Sequence, residues 1–394
     1  MKKVLFILTA MLLIVGFMIW DMEAGRKNIK KQEDSLMRYG NFQLLTSGHQ
    51  FYTSLFSDIL NAKSYVHLHF FIIRNDKASK EFLSILKEKA KSGVEVKLSV
   101  DRIGSYKLKT RVISDLRASG VEFTFSRNPQ LKHLFYTLQN RNHRRIAVID
   151  GKIAYTGGFN IGKEYLGENK KFGYWRDYQV RVSGDGVQDM ERQFLQDWER
   201  DTGEGITPHP IVTEKGDTKY EYVFTDGIGL ASRYKDLFQQ AEKSIIIATP
   251  YFVPGKEMMN ELLAVRKRGV ALTILVPIES DVLFARQAAY PYLRKLMKAG
   301  AAIYQYRNGF FHGKVTMVDG KFADIGTANF DNRSFYINDE SNCFIYGGPV
   351  ISDIQKALEQ DFRNSKRLTD SYFQNLGLWE RFMEKGALII SYYL

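Results

Sequence analysis

The sequence predicts an α/β protein of two similar lobes, a duplicated pseudo-dimer, preceded by a transmembrane helix. Three observations carry this. The stretch His143-Arg-Arg145-Ile-Ala-Val-Ile-Asp150 recurs in altered form as His312-Gly-Lys314-Val-Thr-Met-Val-Asp319. Each copy runs on to a Gly-x-x-Asn, with the glycine 14 and the asparagine 17 residues beyond the histidine: Gly157 and Asn160, then Gly326 and Asn329. Upstream of each copy, helical and strand-like stretches follow in the same order, and a 17-residue apolar run from Val4 to Trp20 opens the chain.

The opening run is broken only by Thr9 and Gly16. At 1.5 Å per residue it reaches about 26 Å, close to the ~30 Å hydrocarbon core of a bilayer. Lys2 and Lys3 before it, and Arg26, Lys27, Lys30 and Lys31 after it, can snorkel outward to the headgroups. A cleaved signal peptide would have a shorter apolar region and small residues at both cleavage positions, of which Met22 and Ala24 supply one. The expectation is therefore a retained single-pass anchor (residues 1–22) in the cell membrane. Basic residues are more numerous after the run than before it, which favours a body on the cytoplasmic side.

In the first lobe (residues 40–202), Phe51 to Ala62 reads as an amphipathic helix and Tyr65 to Ile73 as an apolar strand. Lys80 to Lys91 then reads as a helix and Gly93 to Val100 as a strand. In the second lobe (residues 217–394), Leu230 to Ala241, Ser244 to Val253, Glu257 to Lys267 and Gly269 to Val276 repeat that order. Strands alternating with helices of about a dozen residues indicate a sheet covered by helices. The two histidines lie 169 residues apart, a full domain length, and the Gly- and Pro-bearing stretch from Asp201 to Asp217 is the natural linker.

Composition narrows the function. With 394 residues, 44% apolar, the chain can build two cores, and one lone cysteine, Cys343, excludes an intramolecular disulfide or a thiol-rich metal site. The net charge of +12 draws the protein to polyanions, either nucleic acid or an anionic membrane. The apolar N-terminus favours an anionic phospholipid membrane as partner, and nucleic acid is not expected.

The repeated motif carries the chemistry. Phe310 to Val318 reads as one strand, and Asp319-Gly320 as a type I′ hairpin leading into Phe322 to Ile325. Period-2 alternation sets His312 and Lys314 on one face. A neutral imidazole there can attack phosphorus, and the cation two residues on can hold a phosphate oxygen as charge develops. Asn329 can donate a further hydrogen bond. Asp319, seven residues from the histidine, points to the opposite face and reads as a structural carboxylate bonding the hairpin backbone. A nucleophilic histidine needs an acid to fix its tautomer, and Asp177 and Glu340, downstream of the two asparagines, are the candidates for that role. Two histidines buried as satisfied core residues would be the bland alternative, but the matched offsets of two copies argue against it.

The paired His-x-Lys-x4-Asp with Gly-x-x-Asn resembles the phospholipase D superfamily, and among its members the minor, single-anchor bacterial cardiolipin synthases. The resembling stretches are Asn140 to Gly162, Phe172 to Asp177, Thr249 to Pro254 and Ile325 to Phe335. That resemblance implies two phospholipase D-like lobes with one active site at their seam, a covalent phosphohistidine, and no metal or other cofactor. It further implies phosphatidyl transfer between two phosphatidylglycerols, giving cardiolipin and glycerol. His143, Arg145, Asp150, His312, Lys314 and Asp319 then stand as the catalytic signature, Asn160 and Asn329 as phosphate-binding residues, and Asp177 and Glu340 as histidine-orienting ones. Family habit leans towards His143 as nucleophile and His312 as acid, while the chain itself leaves open which histidine attacks. Arg145 departs from the family, which has lysine there; its fork is larger, yet it is always charged and can grip a phosphate with two bonds. A phospholipid hydrolase, a metal-independent nuclease, or a non-catalytic phosphate-binding protein in which Arg145 marks a decayed site are the other readings.

Three further stretches admit more than one reading. Lys170 to Arg176 mixes basic and aromatic residues, suiting a membrane interface, a nucleic-acid surface or a plain loop. Trp379 to Leu394 suits either the bilayer surface or packing on its own lobe. His67 and His69 alternate on one apolar strand with no other ligand cluster nearby in sequence, and read as core or pocket histidines rather than a metal pair.

Overall fold

The computed structural model describes residues 2–27, 35–207, 209 and 215–390. The first lobe follows an N-terminal helix α1 (Lys2–Arg26) and runs β1 (Arg38–Ser47), α2 (Gly48–Asn61), β2 (Tyr65–Phe70), α3 (Lys77–Lys91), β3 (Glu95–Asp101), α4 (Thr110–Ala118), β4 (Glu122–Ser126), α5 (Leu134–Gln139), β5 (Ile146–Ile149), β6 (Ile153–Gly157), β7 (Trp175–Gly184) and α6 (Val187–Thr202). The second lobe runs β8 (Thr218–Asp226), α7 (Leu230–Gln239), β9 (Ser244–Ala248), β10 (Phe252–Val253), α8 (Gly255–Lys267), β11 (Ala271–Pro277), α9 (Ala285–Lys298), β12 (Ala302–Tyr306), β13 (Phe310–Phe311), β14 (Val315–Val318), β15 (Phe322–Gly326), β16 (Phe330–Asp331), α10 (Asn332–Tyr336), β17 (Asp339–Tyr346), α11 (Pro349–Arg363), β18 (Ser365–Arg367), α12 (Asp370–Gln374) and α13 (Leu378–Ile390).

The duplication is exact in topology. In the first lobe the strands lie in the order β4-β3-β2-β5-β6-β7-β1, and in the second β12-β11-β9-β14-β15-β17-β8, with β18 added at the outer edge. In each lobe three parallel strands join four antiparallel ones, so the sheet is mixed. The antiparallel pair β1·β8, from Arg38↔Tyr220 to Gly40↔Thr218, fuses the two into one continuous sheet. Each lobe has its own apolar core under its helices. A third core, from Val180 and Met190 to Cys343 and Ile354, belongs to both lobes and binds them together.

Local chemistry sets the element ends. Helix α3 begins three residues before the Lys80 start read from periodicity, because Asp76 caps it by accepting from the Ser79 N–H at 3.0 Å. The run Ser244 to Val253 is two strands: Pro250 has no N–H for a ladder, so β9 stops at Ala248, and β10 pairs instead with β16. Asp319 and Gly320 have φ of 53° and 64°, as a type I′ turn requires, and Asp150 and Gly151 match them at 51° and 63°.

The segment from Phe310 to Val318 is likewise not one strand. β13 leaves its own lobe and pairs in parallel with β7 of the first lobe, Phe310↔Trp175 and Phe311↔Arg176, before β14 rejoins the second sheet against β9. Gly313 sits at the crossing, where a Cβ would lie 2.7 Å from the Tyr178 ring. His312 and Lys314 are thus on an irregular segment between lobes, which is what turns them into the seam.

At the N-terminus, α1 ends docked on α5. Asp21 is buried, accepting from the Tyr136 N–H at 2.9 Å, and Met22 packs with Tyr136 and Ile337. Among the described residues no helix is long and apolar enough to cross a membrane. The expected anchor falls partly on side chains outside those described, while Leu13, Ile14, Val15, Phe17, Ile19 and Trp20 are exposed. The tail packs on its own lobe: α13 lies on α9 through Arg286–Glu380 and Arg294–Glu384 ion pairs and a buried Ala387; its last residues, 391–394, lie outside the described ones.

Candidate active site

A cavity of about 330 Å³ opens at the seam and takes its walls from both lobes. His143, Arg145 and Asn160 enter from the first lobe and His312 and Asn329 from the second, with Phe71, Trp175 and Tyr251 as aromatic wall. Arg141 and Arg333 add positive charge to the lining.

Backbone exchange between the lobes aims both histidines. The His143 N–H donates to the Asp339 carbonyl at 2.9 Å, and the Asp339 N–H returns to the Arg141 carbonyl at 2.9 Å. On the other side the His312 N–H donates to the Arg176 carbonyl at 2.7 Å. Each histidine is therefore laid against the acid-bearing strand of the opposite lobe.

The side chains follow. His143 Nδ1 lies 2.9 Å from Glu340 Oε2, and His312 Nδ1 lies 2.6 Å from Asp177 Oδ2. Both acids are fully buried. A carboxylate facing a ring lone pair would be repulsive, so in each pair Nδ1 carries a proton and Nε2 is the atom left to the cavity. The orienting acids named from the sequence are in place, but crossed over: each serves the histidine of the other lobe. Their order along the sequence carried no information on which histidine they face.

The two cations share one tether. Arg145 Nη1 donates to the His143 carbonyl at 2.7 Å, and Lys314 Nζ donates to the carbonyl of His312. Arg145 Nε also reaches Asn160 Oδ1 at 3.3 Å, and Asn160 Oδ1 accepts from the Ile72 N–H at 3.0 Å, which leaves its amide NH₂ as the free donor. The guanidinium thus keeps in the first lobe the anchor that Lys314 has in the second. Asn329 is held by its own N–H on Ser334 Oγ at 3.0 Å.

Electrostatics divide the two halves. Burial pushes the Glu340 carboxyl up to about 7, against the Thr327 hydroxyl bond and the Arg145 charge. Burial also raises Asp177, yet the Lys314 and His312 charges outweigh it and hold that carboxyl below its ordinary value. Burial, then Arg145 and Lys314, drive His143 well below the usual histidine range, while His312 is lowered by burial and Lys314 and supported by Asp177. Burial and then Arg145 bring Lys314 down to about 8, despite the pull of Asp177.

Asp150 and Asp319 are not in this site, which corrects their place in the catalytic signature. Asp150 Oδ1 accepts from the Ser64 and Tyr65 N–H groups at 2.7 and 2.9 Å, and Oδ2 from Lys63 at 2.8 Å. Asp319 makes the same three bonds to Glu242, Lys243 and Ser244. Both tie the motif hairpin to the start of the neighbouring strand, as alternation had implied for Asp319.

Sequence reasoning missed the supports of the site. Arg144 is fully buried, 2.9 Å from Asp197 and 2.5 Å from Asp226, and Asp339 pairs with Arg127 at 2.7 Å. Opposite them, Arg176 meets Asp361 of α11 at 2.7 Å. Lys170 to Arg176 divides accordingly: Phe172 and Trp175 line the cavity, Arg176 is a buried staple, and Lys170 and Lys171 are exposed. His67 and His69 are buried core residues outside the cavity.

Comparison with known proteins agrees with this layout. The family model described as cardiolipin synthase, PLD-like domain, matches residues 55–198 and 234–363, one match per lobe. The chain is 35% identical to the minor cardiolipin synthase ClsB of Bacillus subtilis (strain 168) over 100% of both chains. It is 36% identical to a cardiolipin synthase of Geobacillus kaustophilus (strain HTA426), covering 88% of this chain and 71% of that one. In fold it resembles a crystal structure of phosphatidylserine synthase from Haemophilus influenzae Rd KW20, with a TM-score of 0.74 at 16% identity over 96% of this chain and 100% of that one. With a family match in each lobe and likeness over the full length, the chain belongs to the cardiolipin synthase family of phospholipase D-like proteins.

Proposed function

We propose that the protein is a phosphatidyltransferase that joins two phosphatidylglycerols into cardiolipin and releases glycerol. The observation that carries this reading is the reciprocal pair: two histidines in one cavity, each with Nδ1 held by a carboxylate of the opposite lobe. Such a pair supplies an attacking nitrogen and a proton carrier on either side of one phosphorus.

The different surroundings of the two histidines support a division of roles. His143, lowered by burial and by the Arg145 and Lys314 charges, stays neutral and attacks phosphorus through Nε2. As the N–P bond forms, the P–O bond to glycerol breaks and His312, which enters this step as the imidazolium, gives its Nε2 proton to the departing oxygen. The firmly ionised Asp177 supports that imidazolium. A glycerol hydroxyl of the second phosphatidylglycerol then attacks phosphorus, His312 takes its proton, and the N–P bond breaks. Arg145, Lys314 and the amides of Asn160 and Asn329 hold the phosphoryl oxygens as charge builds on them. The aromatic wall favours an alcohol over water as acceptor.

The cavity is of headgroup size, so acyl chains stay outside it. Val282 at its rim is followed by Leu283, 70% exposed, and the outer face of α13 presents Leu378, Trp379 and Phe382. With the uncovered apolar side chains of α1 and a net charge of +12, these support a protein held on an anionic membrane by a single N-terminal anchor, its body on the cytoplasmic side. The reaction itself is tested by trapping the phosphoenzyme: with phosphatidylglycerol at alkaline quench, wild type should carry one acid-labile phosphatidyl group per chain and His143→Ala none. Labelling of His143→Ala to the wild-type level refutes the assignment.

A further inference from the structure

The strand reading left His67 without ligand partners, but folding brings two to it. His67 Nε2 lies 3.0 Å from Glu95 Oε1, and His209 of the interlobe linker places its Nε2 3.8 Å from Glu95 Oε2. One ligand atom from each of the three lies within 4.8 Å of the others, and none of them lines the catalytic cavity. We propose that His67, Glu95 and His209 form a zinc site that fastens the interlobe linker to the sheet of the first lobe.

Five features besides distance support it. Two imidazoles and a carboxylate are a donor set for a borderline-soft divalent ion, with water completing a tetrahedron. The far nitrogen of His67, Nδ1, is held by buried Glu191 Oε1 at 2.9 Å, the carboxylate–histidine arrangement that fixes a ligand's tautomer. Both rings are also fixed by stacking: His67 on Phe194, with centroids 4.8 Å apart, and His209 on Tyr65, 3.9 Å apart. His209 Nε2 makes no hydrogen bond, so its lone pair is available. Lys97 Nζ pairs with Glu95 Oε1 at 3.0 Å, and Oε2 is the oxygen left for the ion. Two acidic residues, Glu95 and Glu191, outweigh that one ammonium at the site.

The test titrates Zn²⁺ into chelator-stripped full-length protein by calorimetry, with the thermal midpoint read in parallel. Wild type should bind one zinc per chain and unfold at a higher temperature with it. His209→Ala, at a part-exposed linker position, should fold but bind at least tenfold more weakly and lose the thermal shift. Glu95→Gln, which keeps a bonding partner for His67, should behave likewise. His143→Ala should bind zinc as wild type does, separating this site from the catalytic histidines. Absence of saturable binding in wild type, a loss under tenfold in His209→Ala, or a comparable loss in His143→Ala overturns the proposal.

Discussion

Arg145 and Lys314 reach equivalent anchors, the carbonyl of the histidine two residues earlier, but only the lysine titrates near neutrality. Lys314, lowered to about 8, loses its charge as pH rises through that value, so kcat/KM should fall on the alkaline side. Lys314→Arg should move that limb out of the working range; a pH profile in which it stays put assigns the limb elsewhere. Glu340 sets the opposite limb. Its folded value of about 7 lies above its ordinary 4.5, so it is protonated below neutrality and no longer a full anion for His143. By the same sign it favours the folded state at low pH and works against it as pH rises from about 4.5 through about 7. Turnover should decline below about pH 7, and Glu340→Gln should flatten that decline. For the other pair, Asp177→Asn should lower kcat by roughly 10²–10⁴-fold with little change in KM, because it removes the acceptor that fixes His312 rather than a substrate contact.

The motif elements do two jobs that one line of sequence superimposes. Alternation correctly put Asp319 at the turn, and the matching φ values extend that reading to Asp150. Each carboxylate gathers three backbone N–H groups of the adjoining loop, so Asp150→Ala or Asp319→Ala should cost about 1–3 kcal/mol of stability while the folded enzyme keeps its kcat. Chemical denaturation beside a turnover assay separates this from a catalytic role, in which kcat would collapse. The helices and parallel strands were legible because their apolar spacing is local. The division of Phe310 to Val318 was not, since its cause, the pairing of β13 with β7, lies more than a hundred residues away. Pro250 did carry a visible signal: a strand interior does not tolerate it, and the ladder breaks beside it.

Across the whole molecule the two lobes are useful only together, since each completes the other's histidine. The duplication itself was readable from matched offsets. The crossing of Asp177 to His312 and Glu340 to His143 was not, because a repeat fixes what each copy contains and not which copy it faces. The staples that hold the crossing are buried ion pairs from one lobe to the other, and cutting one strands a charge in the interior. Arg176→Ala, leaving the Asp361 charge with only the Tyr178 hydroxyl, should destabilise the protein by about 3–5 kcal/mol and lower activity at temperatures where wild type is intact. Thermal unfolding followed beside turnover reads both; an unchanged midpoint would mean that the seam is held by the shared apolar core alone.

The most direct measurement follows lipid products by mass spectrometry when the detergent-solubilised full chain, wild type or His312→Ala, meets phosphatidylglycerol vesicles. Two histidines acting across one seam should give cardiolipin and an equal amount of glycerol from wild type and neither from the variant. Phosphatidic acid in place of cardiolipin, or cardiolipin made equally well by His312→Ala, would contradict phosphatidyl transfer by the reciprocal pair.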